Sequence, residues 1–198
     1  TQRVFPMLPT TFPNDEPIRI WVAGCSTGEE AYSVVISFME YLEEKSLDIK
    51  IQLFATDVSP ASIEKARLGI YSPNIAMDMS PERLKRFFTP ITNGYKIKSK
   101  IREVCLFARQ NILDDPYFSR IDLVVCRNVL IYFDLQAQKK ALFRFHQALS
   151  TSGILALGIS ESIGSLSTLF SLLDKKAKIY AKKSVHTDAT LFETGFSS

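Results

Sequence analysis

Apolar and polar positions along the chain change period at intervals, and the changes mark out its elements. Ile18 to Val22 is a short apolar run between Pro17 and Gly24, which predicts a buried strand. Small residues follow from Ala23 to Gly28, and then Ala31, Val34, Val35, Phe38 and Leu42 recur at helical spacing. Residues 49–56 alternate and then become wholly apolar, predicting a second strand that ends at Asp57. Ser59 is placed to cap a helix with Pro60 in its first position, running to Arg67 and stopping at Gly69. Residues 104–108 predict a third strand, and 121–126 a fourth that is apolar on both faces after Asp122 and therefore central. Residues 136–149 read as a helix with Ala141, Leu142, Phe145 and Leu149 inward, its end marked by Ser152-Gly153. A fifth strand covers 154–159, and 169–173 with 177–182 make a terminal hairpin or helix-turn-strand. Strands alternating with helices predict an α/β fold, a mostly parallel sheet with helices on both faces.

Two stretches break the alternation. Thr1 to Pro17 holds four of the nine prolines and reads as an irregular lead-in, with one short helical turn around Val4 to Leu8. Between Tyr71 and Lys100, Ser80-Pro81 opens a helix whose apolar face is Leu84, Phe87 and Phe88. Asn93-Gly94 signals a tight turn, and 95–102 then alternates strictly with basic side chains. A small antiparallel β subdomain is thus expected at about 88–104, inserted in a domain spanning 18–183. The basic strand suits a solvated hairpin; a sharper reading is a docking surface for an acidic protein. Residues 184–198, rich in Ser and Thr, read as a flexible tail.

With 198 residues the chain is long enough for one domain with a sizeable core. Its 24 Lys and Arg against 21 Asp and Glu leave +3, too weak for a nucleic-acid surface. No apolar run reaches the length of a membrane span and no signal peptide opens the chain, so we expect no membrane insertion and a cytoplasmic location. Cys25, Cys105 and Cys126 are odd in number and widely spaced, which suits reduced thiols rather than disulfides or a metal site. The start at Thr1 suggests a piece of a longer protein.

Candidate chemistry gathers at the first strand-turn-helix. A ligand is expected at the strand's carboxyl end, with glycine letting the backbone turn and a ligand come close. The dinucleotide pattern G-x-G-x-x-G is absent, and Glu29 and Glu30 open the helix where a pyrophosphate would sit. Anions repel there, so a cationic or zwitterionic ligand is preferred, and S-adenosylmethionine fits. Asp57 at the end of the second strand suits a ribose, whose two hydroxyls one carboxylate can accept; otherwise it caps the next helix, in competition with Ser59. Arg127-Asn128 follows the central strand directly, where α/β sites sit. Arg127 either pairs with a ligand carboxylate or makes a structural ion pair with Asp122 or Glu161. Tyr132, taken by itself, reads as packing half-buried over the following helix. Cys25, Cys126, Met39, Met77 and Met79 read as packing residues.

Five segments in order carry a family resemblance: 24–33 (GCSTGEEAYS), 55–57 (ATD), 111–113 (NIL), 126–133 (CRNVLIYF) and 158–162 (GISES). Together they resemble the CheR-type chemotaxis receptor methyltransferases, S-adenosylmethionine-dependent enzymes that esterify glutamates on bacterial chemoreceptors. The resemblance covers 18–182, and the ending LDKKAKIY at 173–180 looks most like the versions fused to methylesterase and sensor domains. It implies a Rossmann-like class I methyltransferase fold. It implies cofactor contacts from Gly24 and Glu30, ribose binding by Asp57, and adenine contacts from Asn111 and Ile112. Cys126, Arg127 and Asn128 would line the methionine end, with Tyr132 and Arg127 the catalytic pair and no metal. Two departures stand out. The family's Phe-Phe-Arg motif, whose arginine orients donor and substrate, is expected just upstream of Thr1; Arg3 does not match it by position. The segment between Phe88 and Asn111 is shorter than in members that grip a receptor's C-terminal pentapeptide, so no such tether is expected.

Methyl transfer to a glutamate needs no general base, because a carboxyl with an ordinary pKa near 4.3 is already ionised at neutral pH. The lack of a histidine constellation around His146 and His186 therefore does not count against it. The implied function is protein-glutamate O-methylation of a chemoreceptor; the rival is a non-catalytic module that binds S-adenosylmethionine or S-adenosylhomocysteine without the upstream arginine. Small-molecule and nucleic-acid methylation fit less well, given no visible pocket lid and the modest charge.

Overall fold

A computed structural model describes residues 3–9 and 16–184. Ten strands and five helices follow in order: β1 (Ile18–Ala23), α1 (Glu29–Glu44), β2 (Ile51–Asp57), α2 (Pro60–Leu68), β3 (Ile70–Tyr71), α3 (Pro81–Phe87), β4 (Phe88–Ile91), β5 (Gly94–Ile97), α4 (Ser99–Arg102), β6 (Cys105–Arg109), β7 (Ile121–Cys126), α5 (Leu135–Ala148), β8 (Leu149–Leu157), β9 (Phe170–Asp174) and β10 (Ile179–Lys182). The main sheet is ordered β6-β2-β1-β7-β8-β10-β9. β6, β2, β1, β7 and β8 run parallel, and β10 pairs antiparallel with both β8 and β9. The fold is a Rossmann-like α/β domain. From β1 the chain moves outward through β2 to β6 and then returns to the other side of β1 as β7. This reversal between β1 and β7 opens a crevice at the strands' carboxyl ends.

Alternation along β1 builds both sides of the sheet. Ile18, Ile20 and Val22 face a core shared with Val34, Val35, Phe38 and Leu42 of α1 and Ile63 and Ala66 of α2. Trp21 and Ala23 face a second core with Ala141, Leu142, Phe145 and Ala148 of α5. Trp21 sits edge-on to Phe118 and Phe145, each with ring centroids 5.3 Å away, and its Nε1–H donates to Thr56 Oγ1 at 2.9 Å. The lead-in joins the first core: Phe5, in a 3-10 turn over Phe5–Met7, lies 4.8 Å from the Phe38 ring. Ser59 caps α2 by accepting from Ser62 N, and Gly69 ends it in the left-handed region at φ 60°.

Several sequence expectations shift at their boundaries. The small sheet is ordered β3-β5-β4, so it recruits Ile70–Tyr71 from before the expected start at 88. The alternating basic strand stops at Ile97: Lys98 turns into α4, where Ile101 is buried against α1 instead of alternating. A buried anchor at helical spacing outweighs strand alternation there. Phe88 belongs to β4, not to α3. α5 ends at Ala148 and Leu149 already opens β8, so Ser152-Gly153 lies inside a strand and does not end the helix. Pairing with β7 from Ile121↔Leu149 onward overrides the glycine signal. Met77 is 83% exposed and packs nothing, contrary to expectation. The expected tail, with His186, falls on 185–198, outside the described residues.

His146 on α5 is 2% exposed, and its Nε2–H donates to the Lys183 carbonyl at 3.0 Å. Its Nδ1 is buried without a partner among the described residues, so the ring is held neutral. Burial, and then the Lys182 charge, push its pKa below the ordinary value. A depressed histidine favours the folded state above its unfolded pKa of about 6.5, and that stability is lost as pH falls through the lower folded value. Acidification from pH 7 to 5 should therefore lower the denaturation midpoint, and His146→Leu should remove part of that dependence. Thr56→Val, which strips the acceptor from the buried Trp21 N–H, should cost ~1–3 kcal/mol in chemical denaturation.

Candidate active site

The turn after β1 is drawn tight by one carbonyl. Gly24 N and Cys25 N both donate to Thr56 O, at 2.7 and 2.9 Å. Gly24 takes φ 73°, and a Cβ there would lie 2.3 Å from Val129 Cγ2. Glycine is therefore demanded by the approach of the β7 loop, a reason beyond the ligand access expected from sequence. Gly28, at φ 95°, packs where a Cβ would meet Ala66 Cβ at 2.9 Å, and α1 begins at Glu29 immediately after it.

Asp57 is half-buried at the end of β2. Its Oδ2 accepts from Ser26 N at 2.8 Å and its Oδ1 from Ser59 N at 2.9 Å. The carboxylate thus steadies the glycine turn and the entry to α2, while Ser59 performs the helix cap. Free lone pairs remain on each oxygen for ligand hydroxyls.

Arg127 and Asn128 leave β7 toward the crevice. Arg127 Nη1 donates to Glu30 Oε1 at 2.9 Å, so its ion-pair partner is neither Asp122 nor Glu161. Asp122 instead accepts from Arg19 N at 2.9 Å and Ser150 Oγ at 3.2 Å. Burial raises the Glu30 carboxyl above its ordinary pKa, and the Arg127 guanidinium opposes the rise. Asn128 adopts φ 58°, a left-handed turn that Asn tolerates. Tyr132 ends a 3-10 turn over Leu130–Tyr132 and is 80% exposed, so it does not pack half-buried over α5.

The remaining expected residues are nearby but internally engaged. Asn111 donates through Nδ2 to Asp114 at 2.8 Å and accepts from Leu113 N at 3.0 Å. Ile112 is buried in the second core. Cys25 and Cys126 are buried packing residues as expected; burial, with the Asp57 charge adding, pushes the Cys25 thiol up to about 12. Among the described residues no group of three or more His, Cys, Asp or Glu is placed to hold a metal, and no helix is long and apolar enough to cross a membrane.

Sequence reasoning offered Glu161 only as an ion-pair partner for Arg127 and did not foresee its contacts to the backbone. It is 4% exposed; its Oε1 accepts from Val129 N at 2.9 Å and Leu130 N at 2.8 Å, and its Oε2 from Gly158 N at 2.7 Å. A buried carboxylate thus ties the loop after β7 to the end of β8. A lone acid among small polar residues, Ser160-Glu161-Ser162, is the sequence signal that was available.

Residues 1–179 match the family described as CheR methyltransferase, SAM binding domain. The chain belongs to that family. A chemotaxis protein methyltransferase of Vibrio parahaemolyticus is 35% identical over 172 residues, covering 84% of this chain and 62% of that protein. Chemotaxis protein methyltransferase 1 of Pseudomonas aeruginosa is 37% identical over 171 residues, covering 83% and 62%. An uncharacterized 104.1 kDa protein of Rhodobacter capsulatus is 44% identical over 163 residues, covering 82% of this chain and 17% of that protein. The CheR domain described here therefore spans less than two thirds of each of these relatives. A TehB-like SAM-dependent methyltransferase from Corynebacterium glutamicum has the same fold, with a TM-score of 0.51 and 14% identity over 91% of this chain and 84% of that one.

The cofactor of this CheR domain is S-adenosylmethionine, and the crevice fits it. Asp57 keeps free acceptor positions at the end of β2, and Glu30 sets a carboxylate at the start of α1 against the Arg127 guanidinium.

Asp57→Ala strips acceptors from two backbone N–H groups, so it should cost ~1–3 kcal/mol of stability before any ligand is added. Thermal melts of the free protein check this; an unchanged midpoint would show that water replaces the carboxylate without loss. Calorimetry on the folded variant then isolates the cofactor's share.

Proposed function

We propose that the domain transfers the methyl group of S-adenosylmethionine to glutamate side chains of a bacterial chemoreceptor. The observation that carries this reading is the pairing of a half-exposed guanidinium, Arg127, with Glu30 at the end of the central strand, in the loop that goes on to an exposed Tyr132. A cationic donor and an anionic acceptor must meet at one point, and this cluster offers an acid for the first and a guanidinium for the second.

The reaction needs little from side chains. A carboxylate oxygen attacks the methyl carbon in line; the O–CH3 bond forms as the CH3–S bond breaks, giving a methyl ester and S-adenosylhomocysteine. The acceptor is ionised already, so no proton is moved. The protein's work is to align the partners and exclude water. In this reading Asp57 accepts the ribose hydroxyls, Asn111 and Ile112 flank the adenine, and Gly24, Glu30, Cys126 and Asn128 surround the methionine end. Arg127 orients the substrate carboxylate, and the Tyr132 hydroxyl faces the transferring methyl. In this reading no pentapeptide tether is bound, as expected from the short segment between Phe88 and Asn111. Three free cysteines, two of them buried, support a reducing, cytoplasmic setting.

Incubating the full-length protein with methyl-labelled cofactor and a chemoreceptor cytoplasmic fragment should place label on the receptor in a base-labile form that releases methanol. Arg127→Ala should lower kcat/KM at least about tenfold, a loss of ~1.4 kcal/mol of transition-state binding. Cofactor binding with no labelled receptor, or label stable to base, would favour the non-catalytic module or another acceptor.

A further inference from the structure

The alternating basic run ends as a strand at Ile97, but the fold does not scatter its charge. Residues 65–102 hold nine Lys and Arg against two Asp and Glu, a balance of +7 in a chain whose total is +3, so the rest of the chain carries −4. Three of the nine are held by acids: Arg67 by Glu64, Arg83 by Glu40 and Arg86 by Glu43. Lys85, Lys96, Lys98, Lys100 and Arg102 are exposed and join none of the ion pairs among the described residues. Like charges crowded together repel, so this face is most stable when an acidic partner meets it.

The cations are neighbours in space. Lys98 Nζ donates to the Lys85 carbonyl at 2.9 Å, which joins the end of β5 to α3 and leaves two of its three donors free. Arg86, Lys98 and Lys100 line one cavity of about 180 Å3 together with the apolar Met39, Phe87 and Ile101. Lys96 shares a side of β5 with Lys98, because Ile97 between them is buried. It pairs across the small sheet with Ile70 and Thr89, and Ile70 is 46% exposed. β5 is the central strand of that sheet, so Lys96 is not one of the lysines that guard sheet edges. The face stands away from the crevice. Arg86 is anchored at Glu43, and the stretch of α1 from Glu29 to Glu43 is about 20 Å long.

We propose, on the reading that the substrate is a glutamate-bearing receptor, that this face docks an acidic stretch of that receptor while the acceptor glutamate enters the crevice. A cavity lined by three cations suits a carboxylate side chain from a protein, whereas a flat layer of lipid headgroups would leave it unfilled. Attraction at such a distance gathers and orients the substrate without touching the reacting atoms. Its effect therefore falls on KM, not on kcat, and fades as salt screens it.

Methyl transfer from the full-length protein to a chemoreceptor cytoplasmic fragment tests it, with Lys85→Glu, Lys96→Glu and Lys100→Glu combined. At about 0.05 M salt the receptor KM should rise about tenfold, with kcat and the cofactor KM within about twofold of wild type. At about 0.5 M salt the difference should close. An unchanged receptor KM at low salt overturns the docking surface and leaves the methylation reading standing. If the wild type methylates no receptor, that reading fails by itself, and calorimetric titration of the same fragment decides the surface. Binding that the reversal weakens about tenfold supports docking; equal binding, or none by the wild type, overturns it. Phosphatidylglycerol vesicles separate out lipid: binding to them that the reversal abolishes, with the receptor KM unchanged, assigns the face to a membrane and overturns the proposal. Should the triple reversal not melt cooperatively, Lys96→Ser with Lys100→Ser removes two charges and adds none. The receptor KM must then rise about threefold at low salt, and its constancy would likewise overturn the proposal.

Discussion

Two amides closing on one carbonyl set the geometry of the cofactor end. Because Gly24 N and Cys25 N both donate to Thr56 O, the chain leaving β1 is pulled across the top of β2 instead of running on as a strand. Ser26 N then reaches Asp57, Gly24 meets Val129, and Glu30 starts α1 within reach of Arg127. The order β2-β1-β7 makes this possible, since only a reversal at β1 leaves a gap between neighbouring loops. The Trp21–Thr56 hydrogen bond links the same pair of strands one layer deeper.

The second fixed point lies one strand further along. Glu161 joins the loops after β7 and β8 through three backbone N–H groups, so the turn holding Asn128 and Tyr132 is set by a side chain from another loop. The crevice is therefore built from backbone held by carboxylates: Asp57 on one flank and Glu161 on the other. Arg127, the cation between them, is held by Glu30 and half-exposed. Such a site arranges charge before a ligand arrives.

Local chemistry was legible where a residue's own neighbours decide its conformation. Ser59-Pro60, Gly69 and Ser80-Pro81 read correctly as helix ends, because capping and fixed φ are local effects. Local reading failed where a distant partner outbid the local signal. Ile101 turned an alternating strand into a helix by burying against α1, and pairing with β7 carried β8 back to Leu149 through a glycine. Ion-pair partners failed for the same reason: Arg127 could have met any of several acids, and only packing placed Glu30 beside it.

By itself the sequence determined the alternation of strands and helices, the acid at the end of β2, the polar residues at the end of β7 and the family to which they belong. Periodicity and motif order carry that information along the chain. The tertiary structure decided what those residues do to one another. It gave Gly24 a steric reason in Val129, made Asp57 a brace for two backbone amides, and left Tyr132 in solvent. It also turned Glu161 from one acid among small residues into a buried charge between two loops. Those outcomes depend on which loops the sheet order brings together across long separations, and no local pattern encodes that distance.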